Sequence, residues 1–151
     1  MTTDANVPLR AGASFGVGSL PHRSVSQALD FVWRSTDIPT IPSLPRRSPA
    51  EGMVAQALVG IEGVSVGQYG GISVDVSALD VDHFITTDLS SEAYGAFAAF
   101  LETFPVRNKG AKAVKWQFVG PVTLGMALVR IGVEASIAFP LALQAVREHV
   151  S

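Results

Sequence analysis

Short apolar runs alternate with segments of helical periodicity along this chain of 151 residues, and this alternation restricts the possible folds most. The apolar runs lie at 13–19, 38–45 and 113–119, and a glycine or proline turn closes each of them. A helical pattern follows each run. Alternation of this kind favours an α/β fold with parallel strands, in which helices cover the sheet.

Helix start signals support the same order of elements. Ser24 and Gln27 have the spacing of a capping box, and Ser48 precedes a proline at the first helical position and Glu51 at the third. The segment 38–45 contains three prolines, which favour an extended but irregular strand. We also predict helices at 90–104, 121–130 and 134–150. A hairpin with a glycine turn is predicted at 64–76.

Composition excludes several classes of function. The chain is long enough and apolar enough for one domain with a sizeable core. The net charge of −2 gives no electrostatic basis for binding nucleic acid or an anionic membrane. Cysteine is absent, which excludes disulfides and thiolate metal ligands within the chain. No signal peptide is recognised, and the apolar run 118–129 is shorter than the roughly 20 residues that span a bilayer. We expect a cytoplasmic protein whose residues 1–12 form a flexible arm.

Polar residues follow each predicted parallel strand at its carboxyl end, which is where α/β sheets and barrels bind ligands. We therefore expect these segments to converge, with Ser19, Arg46 and Thr123 along one edge of the sheet. The candidate binding residues at the three strand ends are Gly18, Ser19, Arg46, Arg47, Gln117, Gly120 and Thr123.

Each candidate has a functional and a purely structural interpretation. Gly18 and Ser19 form either a tight turn or a close backbone approach that offers a hydroxyl and an N–H to a carboxylate. Arg46 and Arg47 are either solvated or a clamp for a carboxylate or phosphate. Thr123 is either a helix cap or part of an anion-binding helix start.

A metal site is not expected. Acidic residues and a histidine cluster between 75 and 88, but they lack the glycine and the final glutamate of a calcium loop. The members of this acidic patch are Asp75, Asp80, Asp82, His83 and Asp88. Nucleotide-binding glycine loops and the nucleophile motif of hydrolases are absent from the sequence.

Three stretches resemble the cobalamin-independent methionine synthase family, and more narrowly its short, single-barrel members. They are FGVGSLPH at 15–22, IPTIPSLPRRSPAEGM at 38–53 and VKWQFVGPVTL at 114–124. The last contains the pattern Q-x-x-G-P-x-T from Gln117 to Thr123. The resemblance covers most of 13–150 and extends to the wider superfamily that includes uroporphyrinogen decarboxylase.

The resemblance implies a TIM barrel in which a catalytic zinc activates a thiol, such as homocysteine, to accept a methyl group. Carried over by position, Val17, Gly18 and Ser19 would hold the amino-acid substrate. The zinc ligands of the family lie in the second half of its barrel and have no counterpart here. A complete barrel needs about 250 residues. The fold expected for 13–151 is therefore an N-terminal half-barrel of about three βα units plus a β-hairpin.

The expected function is that of a truncated or split member of this family, which supplies part of a substrate pocket and no catalytic centre. No cofactor is expected in this chain itself. Its expected partners are a small thiol or amino-acid substrate and either a second copy of the chain or a complementary C-terminal half-barrel. The alternative is a non-catalytic α/β module that binds a ligand or forms oligomers.

Overall fold

The computed structural model describes residues 9–79, 85, 87–108 and 110–150. Within this part of the chain, two short strands and three 3₁₀ turns accompany five α-helices. The helices are α1 (Val25–Ser35), α2 (Met53–Leu58), α3 (Gly95–Arg107), α4 (Pro121–Arg130) and α5 (Ala135–Val150). The strands are β1 (Val64–Val66) and β2 (Ile72–Val74), and the 3₁₀ turns are Pro49–Glu51, Val76–Ala78 and Glu92–Tyr94.

The predicted helix starts at Ser24 and Ser48 are confirmed. The Ser24 hydroxyl accepts a hydrogen bond from the N–H of Gln27 at 3.5 Å, and α1 begins at the next residue. The Ser48 hydroxyl accepts one from the N–H of Ala50 at 3.3 Å. There the helix starts as a 3₁₀ turn, and α2 follows one residue after it.

Three apolar clusters hold the helices, and the smallest consists of Ala28, Leu44 and Ala96. The largest cluster joins α4 and α5 to α2, with Leu124, Leu128 and Leu141 fully buried. In the second cluster Trp33 of α1 stacks on Phe100 of α3, with ring centroids 5.0 Å apart. Such aromatic pairs contribute about 0.5–1.5 kcal/mol beyond the area that they bury.

The predicted hairpin is confirmed, with a shorter ladder than its predicted range. β1 and β2 pair antiparallel, and Val64 lies opposite Val74. The turn closes through a hydrogen bond of 2.8 Å from the N–H of Gly67 to the carbonyl of Gly71.

The prediction of a parallel-stranded half-barrel is wrong. In the described residues the sheet is the β1–β2 hairpin alone, and it is antiparallel. The segments 13–19, 38–45 and 113–119 lie side by side but meet only at isolated parallel bridges. These bridges join Phe15 to Ile38, Ser19 to Ser43, and Thr40 to Lys115.

The prolines of the middle segment explain why no ladder forms. Pro39, Pro42 and Pro45 have no N–H group, so the segment 38–45 cannot donate hydrogen bonds at regular intervals. At Gly16 a side chain replaces the missing backbone partner, because the N–H of Gly16 donates to Thr40 Oγ1 at 3.0 Å. The apolar runs are therefore extended without becoming continuous strands.

Residues 1–8 of the predicted N-terminal arm lie outside the described residues. In the part of the chain that the structure describes, no helix has the length and apolar character needed to cross a bilayer.

Candidate functional site

A small cleft lies where the segments 13–19, 38–45 and 113–119 end, beside α2. Its volume is about 20 Å³, which is room for one water molecule. Apolar residues form much of the wall, while serine and glutamine side chains supply polar groups. The lining residues are Gly18, Ser19, Ile41, Pro42, Ser43, Met53, Gln56, Trp116, Gln117, Phe118 and Val119.

Gly18 permits the close approach of two segments at this cleft. Its φ of 115° lies in the region that favours glycine. A Cβ atom at this position would also lie 3.2 Å from the carbonyl oxygen of Ile41. The N–H of Ser43 donates to the carbonyl of Gly18 at 3.0 Å, and the N–H of Leu20 donates to the carbonyl of Ser43 at 3.0 Å. These two bonds place Ser19 and Ser43 side by side at the mouth.

Lys115 connects two of the predicted site residues, Val17 and Gln117. Its ammonium Nζ donates to the carbonyl of Val17 at 2.6 Å, to the carbonyl of Gly16 at 3.1 Å and to Gln117 Oε1 at 2.7 Å. Desolvation lowers the pKa of Lys115. Three acceptors match its three donors, so this lysine orients Gln117 and the 16–17 backbone.

Gln56 and Tyr94 form the polar floor behind the cleft. Gln56 Nε2 donates to the carbonyl of Ala93 at 2.8 Å, and the Tyr94 hydroxyl donates to the carbonyl of Gln56 at 3.2 Å. Burial raises the pKa of Tyr94 to about 12. The phenol is therefore neutral at physiological pH and keeps the proton that it donates to the carbonyl of Gln56.

Arg47 forms a structural ion pair with Glu51. Its Nε donates to Glu51 Oε1 at 2.9 Å, and its Nη2 donates to the same carboxylate and to the carbonyl of Glu92. The Glu51 carboxylate, 1% exposed, also accepts the N–H groups of Leu44 and Ala96. Because the guanidinium already binds the carboxylate of Glu51, the interpretation of Arg47 as a clamp for a ligand is not supported.

The other predicted residues do not line the cleft. Arg46 is exposed and has no hydrogen bond or ion pair to any described residue. Gly120 is the N-cap of α4, and Thr123 is exposed in the first turn of that helix. The interpretation of Thr123 as the helix cap is therefore wrong, because the cap is Gly120 and carries no side chain.

The acidic patch shows no arrangement for a metal among the described residues. Asp80, Asp82 and His83 lie outside that part of the chain. Hydrogen bonds from Ser77 lower the pKa of Asp75, and hydrogen bonds from Ser90 lower that of Asp88. No group of three or more potential ligands occurs where the structure describes the chain.

Sequence reasoning found Gly18, Ser19 and Gln117 but missed Ser43, Gln56 and Lys115. Lys115 and Gln117 are two residues apart in an extended segment, so their side chains share a face. That spacing was the available signal. The sequence signal for Gln56 was weaker, since it is only a polar residue beside apolar positions of α2.

A cleft with hydroxyl and amide groups at its mouth and aromatic side chains in its wall can bind a small polar group of a larger ligand. It holds no nucleophile paired with a base among its lining residues. Comparisons of this chain with protein-family models, with curated proteins and with solved structures found no match.

Proposed function

We propose that this chain binds the polar end of a small amino-acid-like ligand at the mouth of the cleft. The single observation that carries the proposal is that Gly18, Ser19 and Gln117 line one cleft, although Gln117 is far from the other two in the sequence. Hydroxyl and amide groups suit the carboxylate and ammonium of an amino acid. The small volume means that only one end of such a ligand enters, and the rest lies outside.

The resemblance to cobalamin-independent methionine synthases supports a thiol amino acid, such as homocysteine, as this ligand. In the proposal the chain contributes substrate binding to a methyl-transfer protein and carries no catalytic centre. The carried-over positions Val17, Gly18 and Ser19 lie at or next to the cleft, and Lys115 fixes the carbonyl of Val17.

The zinc that the resemblance implies does not fit the residues of this chain. The sequence has no cysteine, and the described residues contain no cluster of potential ligands. Stable zinc sites need three or four nitrogen, sulfur or carboxylate ligands in tetrahedral geometry. The described residues therefore supply no zinc centre, and any zinc-dependent methyl transfer would need ligands from outside them.

Calorimetric titration with L-homocysteine and L-methionine tests the proposal. We expect binding of both amino acids and weaker binding of butyrate, which lacks the ammonium group. Ser19→Ala and Gln117→Ala should each weaken binding about three- to tenfold, because one hydrogen bond contributes about 0.5–1.5 kcal/mol.

Ser65→Ala is the matched control. Ser65 is an exposed serine on β1, outside the lining of the cleft, and its loss should leave affinity unchanged. Equal weakening by all three variants, or no binding of either amino acid to the wild-type chain, would contradict the proposal.

A second candidate function, self-association, is favoured by the outer edge of the segment 13–19. The N–H groups of Phe15 and Val17 form no hydrogen bond to any described residue. These two residues are 60% and 66% exposed. An apolar edge with unpaired backbone groups pairs readily with another strand, and a second copy of the chain offers the same edge.

A further inference from the structure

His149 is a buried histidine outside the cleft, in the last turn of α5. It is 6% exposed. Its Nδ1 shares a hydrogen bond of 2.7 Å with the hydroxyl of Thr87 and lies 3.5 Å from the hydroxyl of Tyr94. Its ring packs against the ring of Phe118, with centroids 5.5 Å apart. The imidazole thus joins α5 to three separate segments.

The neighbouring residue strengthens the same contact. The carboxylate of Glu148 accepts a hydrogen bond from the N–H of Ile85. Two consecutive side chains of α5 therefore attach to residues 85 and 87. We call this set of contacts, made by Glu148 and His149 with Ile85, Thr87 and Tyr94, the α5 latch.

The surroundings of the imidazole favour its neutral form. Nε2 is buried and forms no well-aligned hydrogen bond to any described residue. Burial lowers the pKa of His149, while the carbonyls of Val59 and Ala57 and the carboxylate of Glu148 partly oppose this effect. A second ring proton would place a charge among Tyr94, Phe118 and α2.

Two titratable groups from the described part of the chain act on the imidazole. Glu148 lies beside it on α5, and Tyr94 faces it from the 3₁₀ turn that precedes α3. Tyr94 is neutral across the acidic range, because its pKa is about 12. Residues 53–58 of α2 include no charged residue, and the 113–119 segment contributes Phe118.

We propose that the α5 latch is a pH-dependent switch, closed when the His149 imidazole is neutral and opened when it takes a second proton. Opening separates the end of α5 from residues 85–94. Because Tyr94 also bonds to Gln56 in the cleft floor, opening removes support from behind the cleft. The switch itself does not depend on any ligand that the cleft binds.

The sign of the pH effect follows from the direction of the shift. The pKa of His149 is lower in the folded protein than its ordinary value of 6.5. The stabilisation by the latch is therefore complete above about pH 6.5 and is lost as pH falls through that value toward the folded pKa. The carboxylates with lowered pKa values, Asp30, Asp37, Asp75 and Asp88, lose their contribution only below about pH 4.

Urea unfolding of the wild-type chain and of His149→Asn, at about pH 7 and about pH 5, tests the proposal. The asparagine amide can keep the contact with Thr87 but does not titrate. We expect the unfolding equilibrium constant of the wild type to rise as the pH falls from the higher to the lower value, because the unfolded chain takes up the histidine proton more readily than the folded chain. His149→Asn should show less than half of that pH dependence.

Two measurements on the wild-type chain keep the proposal testable if His149→Asn does not fold. The His149 imidazole, followed by NMR, should titrate below the histidines of the urea-unfolded chain. Hydrogen exchange of the amides of Ile85 and His149 should accelerate below about pH 6, relative to those of Leu29 and Val32 in α1. An imidazole with an ordinary pKa, parallel pH profiles for wild type and His149→Asn, or equal acceleration in α1 would each overturn the switch.

Discussion

Arg46 and Arg47 are adjacent in the sequence but have different surroundings. Arg46 is exposed and unpartnered among the described residues, whereas Arg47 forms an ion pair with the buried carboxylate of Glu51. Gly95 makes room for this pair, because a Cβ atom there would lie 2.4 Å from the Arg47 guanidinium. The two arginines therefore form a matched pair for mutagenesis.

We expect Arg47→Ala to lower the free energy of unfolding by about 3–5 kcal/mol, because it removes the only cation paired with the buried carboxylate of Glu51 among the described residues. Arg46→Ala should change it by less than about 0.5 kcal/mol, as is usual for exposed side chains. Urea unfolding of the two variants at neutral pH measures both values. Equal effects would show that the ion pair does not stabilise the fold.

Part of this arrangement could be predicted from the sequence. The spacing of Arg47 and Glu51 suits an i, i+4 ion pair, and Ser48 with Pro49 indicates a helix start. The burial of Glu51 could not be predicted, because it depends on the N–H of Ala96, 45 residues away. The sequence alone therefore could not distinguish the buried ion pair of Arg47 from the exposed side chain of Arg46.

At the scale of the elements, the contact between α4 and α5 depends on Gly125. A Cβ atom at this position would lie 2.4 Å from the ring of Phe139. The ring of Phe139 packs directly against α4, and a side chain at position 125 would prevent this contact. A glycine inside a helix costs about 1 kcal/mol relative to alanine, so its presence here has a packing reason.

We expect Gly125→Ala to destabilise the chain by about 1–3 kcal/mol, although alanine is the better helix former, because the methyl group overpacks the contact. The double variant Gly125→Ala/Phe139→Leu should be more stable than Gly125→Ala, because leucine frees the space of the ring. Thermal unfolding followed by circular dichroism measures both. A stabilising Gly125→Ala would show that α4 and α5 adjust freely.

Elements with local signals were the ones that the sequence predicted well. Caps at Ser24 and Ser48 indicate helix starts, and the glycines at 67–71 indicate a hairpin turn. The apolar runs at 13–19, 38–45 and 113–119 lack such signals. Apolar character shows that a segment is buried or extended, but the ladder depends on backbone donors that the prolines remove.

For the whole molecule, the order of elements suggested a parallel half-barrel, and that prediction is wrong. Single bridges, such as the one between Thr40 and Lys115, hold the three segments side by side, but they do not form a continuous sheet. Three apolar clusters hold the helices instead. Phe15, in the first of these segments, is exposed beside Val17.

This exposed edge is the basis for a prediction about the whole molecule. The outward N–H groups of Phe15 and Val17, together with their apolar side chains, are the features of an unprotected edge. In an antiparallel pair centred on Gly16, Phe15 of one copy would lie opposite Val17 of the other. Aromatic and β-branched pairs of this kind contribute about 0.2–1 kcal/mol each.

We expect the wild-type chain to form dimers at micromolar concentration in sedimentation experiments, and not to behave as a single monomeric species. Val17→Lys should weaken the association at least tenfold, because it places two lysines in the paired edge, where like charges destabilise pairing. Val106→Lys is the control, since Val106 is 89% exposed on α3 and lies outside this edge. A wild-type chain that sediments as one monomer and unfolds cooperatively would contradict the prediction, as would equal weakening by both lysine variants. In either case the edge at Phe15 and Val17 would be stable in water without a partner.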